Sequence, residues 1–314
     1  MARIANAHTA VKHELLVRYL DAWTPTVLHT ARQVAYAEGR ALAGVGPGRE
    51  DGSAGVALRV FAEFADRLAG HELEMVLADA DRQRLDALAG RLAGFTGMPP
   101  GLTIRTTDDL VPALARHAGP VFAYLDAPQE PPALEVLRAL VRHRASEVLV
   151  VLDPAQLMSP GRAYADAVTG YRDSLHRAGL SAVAHVELVD GAGVAQLLFF
   201  GTRSAKNLEK FKTELWAVDE YAGVRYRDPR DVEHELLDIS ASPPVGPLRR
   251  SLLATIRADR THTVAELRQH TASETMYRTE ETTRALSGLL TAGTLAREPE
   301  KGRLNADTVL RPAG

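Results

Sequence analysis

Three acids stand at the ends of short apolar runs in the first half of the chain. They are Glu38 after Val34-Ala35-Tyr36, Asp79 after Glu74 to Leu77, and Asp126 after Val121 to Leu125. An acid placed there can accept hydrogen bonds from a ribose diol or polarise an acceptor group, because ligands of open α/β sheets bind beyond the carboxyl ends of the strands. Glu38 is followed by Gly39 and, after a short insertion, by Gly44-Val45-Gly46-Pro47-Gly48. A nucleotide-like cofactor needs a glycine-rich turn after the first strand, since Cβ atoms would keep the ligand from the backbone. Glu38, Gly39, Gly44, Gly46 and Asp79 are therefore the candidate cofactor-binding residues, and Asp126 is the candidate catalytic group. Each also has a plainer reading. The glycines could form a surface loop, Asp79 could cap a helix starting near Asp81, and Asp126 could be a turn residue. Asp81 itself reads as a helix cap.

Basic residues form further groupings. His8, Thr9 and Lys12 fall at the start of the first helix, with His8 and Lys12 four apart on one face. Lys206, Lys210 and Lys212 are three of only five lysines. They could meet phosphate oxygens as a stripe, or be solvated beside Glu209 and Glu214. Residues 247–314 hold eleven Lys and Arg against eight Asp and Glu, a balance of +3, which leaves −6 for the rest. A basic tail on an acidic body suits a module that touches nucleic acid, with Arg278, Arg284, Lys301 and Arg303 as candidate contacts. Glu280 and Glu281 would repel phosphates there, and a protein-binding module is the other reading.

Composition removes several classes. The 314 residues are 46% hydrophobic and 25% charged with net charge −3, which describes a globular protein with room for one large domain and a smaller one. That balance argues against a globally cationic nucleic-acid binder. The chain has no cysteine, so disulfides, thiol nucleophiles and cysteine metal sites drop out, and a cytoplasmic location is expected. Its eleven histidines show no His-Glu-x-x-His spacing. Neither a Gly-x-Ser-x-Gly elbow nor a Gly-Lys-Ser/Thr phosphate loop occurs, so no metal, serine-hydrolase or P-loop chemistry is expected. No apolar run approaches the ~18 residues of a membrane span, and a signal-peptide core is not evident.

The elements that must position these residues alternate. A helix over Thr9–Trp23 should stop at Thr24-Pro25. Strands at Val34–Tyr36, Glu74–Leu77, Leu102–Ile104, Val121–Leu125 and Val148–Leu152 then alternate with helices at Ala54–Leu68, Asp81–Ala93, Asp108–Arg116, Ala133–Arg144 and Tyr164–Ala178. That alternation implies a parallel sheet with helices on both faces. Ala182–Leu188 and Val194–Phe200, joined across Asp190-Gly191, should pair as an antiparallel hairpin. After a helix over Ser204–Val218, residues 219–246 read as a linker. From 247 onward three helical segments lead to a hairpin over Thr294–Arg297 and Arg303–Leu310. Thr263-Val264-Ala265-Glu266 has capping-box form at the second helix, and the third should run from Ser273 or Thr275 to Thr291. The domains expected are 1–218, a linker at 219–246, and 247–314.

Several stretches carry a family likeness. His8-Thr9-Ala10-Val11-Lys12, Leu15-Leu16 and Arg18-Tyr19-Leu20-Asp21-Ala22-Trp23 resemble the opening of the three-Cys-motif partner proteins. Tyr36-Ala37-Glu38-Gly39 and Gly52-Ser53-Ala54-Gly55 are similar to that family's glycine signature. Val121 to Asp126 resembles its strand ending in Asp-Pro, with Ala127 in the proline's place. Leu215 to Asp219, Gly223 to Asp228 and Glu274 to Arg278 resemble its C-terminal part. The resemblance implies a class I methyltransferase-like Rossmann sheet with an antiparallel terminal hairpin, plus a C-terminal winged-helix domain. It also implies a partner protein bearing the cysteine cluster missing here. In base-modifying methyltransferases a polar residue, Pro-Pro and an aromatic at the end of strand four grip a flipped base. Asp126-Ala127-Pro128-Gln129 keeps only the acid and one proline. The expectation is an S-adenosylmethionine-dependent methyltransferase-like protein acting on, or bound to, DNA or RNA. The alternative is a non-catalytic nucleic-acid- or protein-binding adaptor with a degenerate cofactor site.

Overall fold

The computed structural model describes residues 4–127, 129–219 and 223–313, with the side chains of 4–6 left aside. Helix α1 (Ile4–Thr30) turns Val11, Leu15, Leu16, Tyr19, Leu20 and Trp23 into the core and continues through Pro25, where a stop was expected. Val27 and Leu28 are buried beyond the proline. Thr24 Oγ1 and Lys210 Nζ donate to the Leu20 and Ala22 carbonyls, each at 2.7 Å. Burial and these donors offset the backbone bond that proline removes.

The body continues as β1 (Gln33–Gly39), α2 (Gly52–Glu63), α3 (Ala65–Leu68), β2 (Glu72–Ala78), α4 (Arg82–Ala93), β3 (Leu102–Thr107), α5 (Leu110–Arg116) and β4 (Val121–Ala127). Then come α6 (Leu134–Leu140), β5 (Glu147–Leu152), α7 (Tyr164–Ala178), β6 (Ala182–Val189), β7 (Ala195–Thr202), α8 (Ala205–Ala217) and β8 (Arg225–Arg227). The sheet order is β3-β2-β1-β4-β5-β7-β6-β8. The first five strands are parallel, and β7 runs antiparallel between β5 and β6. The expected hairpin is present: Asp190 Oδ1 accepts from the Ala192 and Val194 amides at 2.9 Å and holds its turn. Alternation splits the sheet residues between two cores. Tyr36, Phe122, Tyr124 and Leu149 face α1, α2, α4 and α8, while Ala35, Ala123, Leu125 and Val150 face α5, α6 and α7.

The tail holds α9 (Gly246–Asp259), β9 (His262–Thr263), α10 (Val264–Glu274), α11 (Glu281–Thr291), β10 (Leu295–Glu298) and β11 (Val309–Pro312). Three helices and a hairpin were expected; β9 adds a third strand in the order β10-β11-β9. Thr263 and Glu266 form the capping box. α11 starts later than expected because Thr275 is extended, and Met276 and Tyr277 are buried. Tyr277 stacks on Trp216 with ring centres 5.5 Å apart, and Trp216 Nε1 donates to the Met276 carbonyl at 3.0 Å.

Residues 223–246 are not a free linker. β8 pairs with β6, Tyr226 bridges to Leu237, and Val224, Tyr226, Leu237 and Ile239 are buried. Arg250 grips Asp231 through two bonds of 2.7 Å, which pins the segment to α9. The sequence concealed this because a three-residue Arg-Tyr-Arg strand has no readable period. The lysine stripe is corrected too. Lys210 bonds α1, and Lys212 is fully buried with Nζ donating to the Thr271 and Ala272 carbonyls at 3.1 and 2.6 Å. No helix among the described residues is long and apolar enough to cross a membrane.

Candidate functional site

The strand register gathers the three acids. Gly39 at the tip of β1 lies level with Ala78 of β2 and Leu125 of β4, so Asp79 and Asp126 flank it, each one residue beyond. Asp79 is half-buried. Its Oδ2 accepts from the Leu42 amide at 3.1 Å and its Oδ1 from the Asp81 amide at 3.2 Å. Asp81 caps α4 by accepting from the Arg84 amide at 3.0 Å, as expected. The loop after β1 also crosses the end of β2, where the Ala41 amide donates to the Ala78 carbonyl at 3.0 Å. Arg40 begins that loop with φ 55, a left-handed conformation that costs a non-glycine residue about 1 kcal/mol. Its guanidinium reaches over to Gln129 and Glu130 at 2.9 and 3.3 Å.

Glu38 and Asp126 are turned inward. Glu38 shares a face with Tyr36 and is 1% exposed; Tyr36 Oη donates to it at 2.9 Å and Ser53 Oγ donates to its other oxygen. Burial pushes its carboxyl up to about 8, against the pull of those two donors, so it holds a proton at neutral pH. Lys12 Nζ of α1 lies 2.7 Å from Asp126 Oδ2, and the two side chains are 7% and 13% exposed. Tyr124, two residues before Asp126 on the same face, has its phenol pushed far up by burial and by Asp126. His13 is pushed down to about 4 by burial and by the charges of Lys12 and Arg49, so it is neutral at pH 7. Further along α1, His8 Nε2 donates to the Leu188 carbonyl at 3.2 Å. The first turns of this helix therefore reach the carboxyl edge of the sheet at β4 and β6, while Tyr19 bonds Glu147 at the start of β5.

The glycines divide. A Cβ on Gly39 would come within 2.9 Å of Leu125 and 3.3 Å of Leu110, so this glycine lets strand and helix pack. Gly44 lies 3.9 Å from both His13 and Ser53, measured at the place its Cβ would take, and borders the cluster. Gly46 stands in an outlying turn with Arg49, built on Pro47 and Gly48 (φ 74), and faces open space. Pro128 lies outside the described residues. Glu38, Gly39, Gly44, Asp79 and Asp126 are thus brought together and Gly46 is not. Ser53, Tyr36, Tyr124 and His13 join them without having been singled out as site residues. Tyr36 was legible, since a residue two before Glu38 on a strand must share its face.

Arg278 and Arg284 are occupied within the chain. Arg278 pairs with Glu281 and donates to the Ala241 carbonyl at 2.8 Å, while Arg284 bonds Ser242 Oγ at 2.6 Å and the Pro243 carbonyl. Both hold the segment before α9 against α11. Lys301 and Arg303 are exposed in the loop between β10 and β11. Among the described residues no cluster of three His, Asp or Glu could hold a metal.

At Asp79, which is half-buried, each carboxylate oxygen already accepts from one backbone amide, of Leu42 or Asp81. At Glu38 and Asp126 the chain's own Ser53, Tyr36 and Lys12 fill the place. No family model and no curated protein matches the chain. Similar solved structures include a variant of the 16S rRNA (adenine(1408)-N(1))-methyltransferase from Catenulisporales acidiphilia, at 18% identity over 58% of this chain and 90% of that one, TM-score 0.32. The antibiotic-resistance methyltransferase Kmr is 18% identical over 58% and 93%, TM-score 0.34. An rRNA methylase from Streptococcus thermophilus is 12% identical over 62% and 95%, TM-score 0.33. Likenesses at this level attach no activity to the chain.

Proposed function

We propose that this chain is a methyltransferase-like protein that takes an S-adenosylmethionine-type cofactor across the tips of β1, β2 and β4, acting on or bound to nucleic acid. The observation that carries the reading is the gathering of Glu38, Asp79 and Asp126 at one sheet edge, with Asp79 half-buried beside Gly39. In it Asp79 takes a ribose diol, Gly39 and Gly44 border the ligand, and protonated Glu38 braces the floor. Bound S-adenosylmethionine supplies an electrophilic methyl group; the chain positions the acceptor at Asp126. Lys12 sits on Asp126 now, so the Lys12 side chain swings away before an acceptor arrives.

The tail then serves as a winged helix that docks on DNA or RNA. Lys301 and Arg303 are its contacts, because Arg278 and Arg284 already bond the chain itself. The resemblance to three-Cys-motif partner proteins supports a second protein carrying the cysteine cluster, and the absence of cysteine supports a cytoplasmic setting. One observation favours the non-catalytic adaptor: Glu38 and Asp126 are both satisfied from within the chain.

Melting the full chain against rising S-adenosylhomocysteine separates the two. A ligand at about 100 times its Kd adds about 2.7 kcal/mol of stability, so the Tm should climb with concentration. A Tm that stays fixed for folded protein would leave the adaptor.

A further inference from the structure

A second site lies at the opposite edge of the sheet. β7 ends, and β6 begins, level with the start of β5, away from Asp79 and Asp126. There the body meets α10 across a cleft of about 620 Å³, lined by Arg203, Lys206, Glu209, Arg268 and Ala306 among others. That volume falls in the range of small-molecule and cofactor sites. Its three cations come from the end of β7, the first turn of α8 and the middle of α10, so the two units build the cleft jointly.

We infer that this cleft binds the phosphodiester backbone of a nucleic acid, gripped by Arg203, Lys206 and Arg268; the inference rests on the nucleic-acid partner proposed above. The cations are available. Lys206 is exposed and has no partner among the described residues. Arg203 is aimed by its Nε bond to the Gly179 carbonyl at 2.7 Å, and Arg268 by a 3.3 Å bond to Thr283 Oγ1. Glu209, the acid among the lining residues, has both oxygens engaged by Thr279, whose amide and hydroxyl donate to them at 3.0 and 2.8 Å. The cleft also continues into the tail's exposed loop. Ala306 lines it and bonds the Ala265 amide at 2.9 Å, while Thr283, the partner of Arg268, borders the neighbouring hollow together with Arg303. Arg297 donates to the carbonyls of Pro299, Gly302 and Arg303 at 2.8, 2.9 and 3.1 Å and so shapes the loop that presents Lys301 and Arg303. Arg203, Lys206 and Arg268 in one hollow and Arg297 and Arg303 in the next thus place cations between the sheet body and the loop. Backbone phosphates are the ligand whose charge spacing repeats across such a pair of hollows.

The test is fluorescence anisotropy of the full chain with a labelled single-stranded oligonucleotide and with a duplex, over a salt series. Each lost phosphate contact lowers the log–log salt slope by about 0.7 to 0.9. The pair Lys206→Glu with Arg268→Glu should flatten the slope by about 1.5 and weaken binding roughly tenfold or more at low salt. Lys206→Glu alone, at an exposed position, should produce about half that change and guards against misfolding of the pair. Unchanged affinity and slope in both variants, while Lys301→Glu with Arg303→Glu abolishes binding, would overturn the cleft and leave the nucleic-acid partner standing. A wild-type chain that binds neither oligonucleotide would overturn both. Inorganic pyrophosphate binding lost in Lys206→Glu, with no oligonucleotide binding, would make the cleft a small-anion site and overturn the backbone assignment.

Discussion

Lys12 and Asp126 are 114 positions apart, yet their charged groups meet at 2.7 Å and are nearly closed off from water. The contact fastens α1 to the tip of β4 at the place where a ligand of this sheet class would enter. A cation supplied by the chain therefore balances the acid that was expected to face an acceptor.

Removing Lys12 alone should cost more than removing both partners. Lys12→Met leaves a shielded carboxylate without its counter-charge, a change worth about 3 kcal/mol. The double change Lys12→Met with Asp126→Asn should recover most of that loss. Urea midpoints at pH 7 measure both, and equal losses in the single and double variants would refute a coupled pair.

Glu38 should make stability fall as pH rises. Its carboxyl is raised from 4.5 to about 8 in the folded chain, so between those values the folded state holds a proton that the unfolded state has lost. The stabilisation is fully present below about 4.5 and gone above about 8, a span of roughly 5 kcal/mol. His13, pushed down to about 4, works in the opposite sense between 4 and 6.5, as does Lys212, pushed down to about 8, above pH 8. Glu38→Gln mimics the protonated acid. The difference between variant and wild type should grow from pH 5 to pH 8.5, in the variant's favour, and a pH-independent difference would count against the buried acid.

Lys212 should hold the tail to the body. Its ammonium joins α8 to two carbonyls at the end of α10, and burial leaves those carbonyls no water to turn to. Lys212→Met should destabilise the chain by about 2 kcal/mol. It should also speed amide exchange in residues 271–277 before the sheet strands respond. Uniform acceleration across the chain would show that the lysine acts only through global stability.

Much of this architecture was legible, for local reasons. Val148 to Leu152 reads as a doubly buried strand because every residue is apolar, Asp190-Gly191 marks the β6–β7 turn, and Asp81 and Thr263 cap helices through bonds only three residues long. What escaped was set by distant partners. Pro25 would end an isolated helix, yet Lys210 and the core around Val27 carry α1 onward. Lys212 and Arg284 look like solvent charges until the facing carbonyls are known. The acids at the strand tips were visible as a set. That Ser53 and Lys12 would reach Glu38 and Asp126 was not, because those contacts arise only once α1 and α2 fold over the edge.

The most direct test of the account is a calorimetric titration of the wild-type chain and Asp79→Asn with S-adenosylhomocysteine. The wild type should give saturable heat, and the variant should bind about tenfold more weakly, as expected for loss of a charged acceptor to a diol. A flat trace from folded wild type, or identical affinities in the two proteins, would contradict a nucleoside site at the tip of β2.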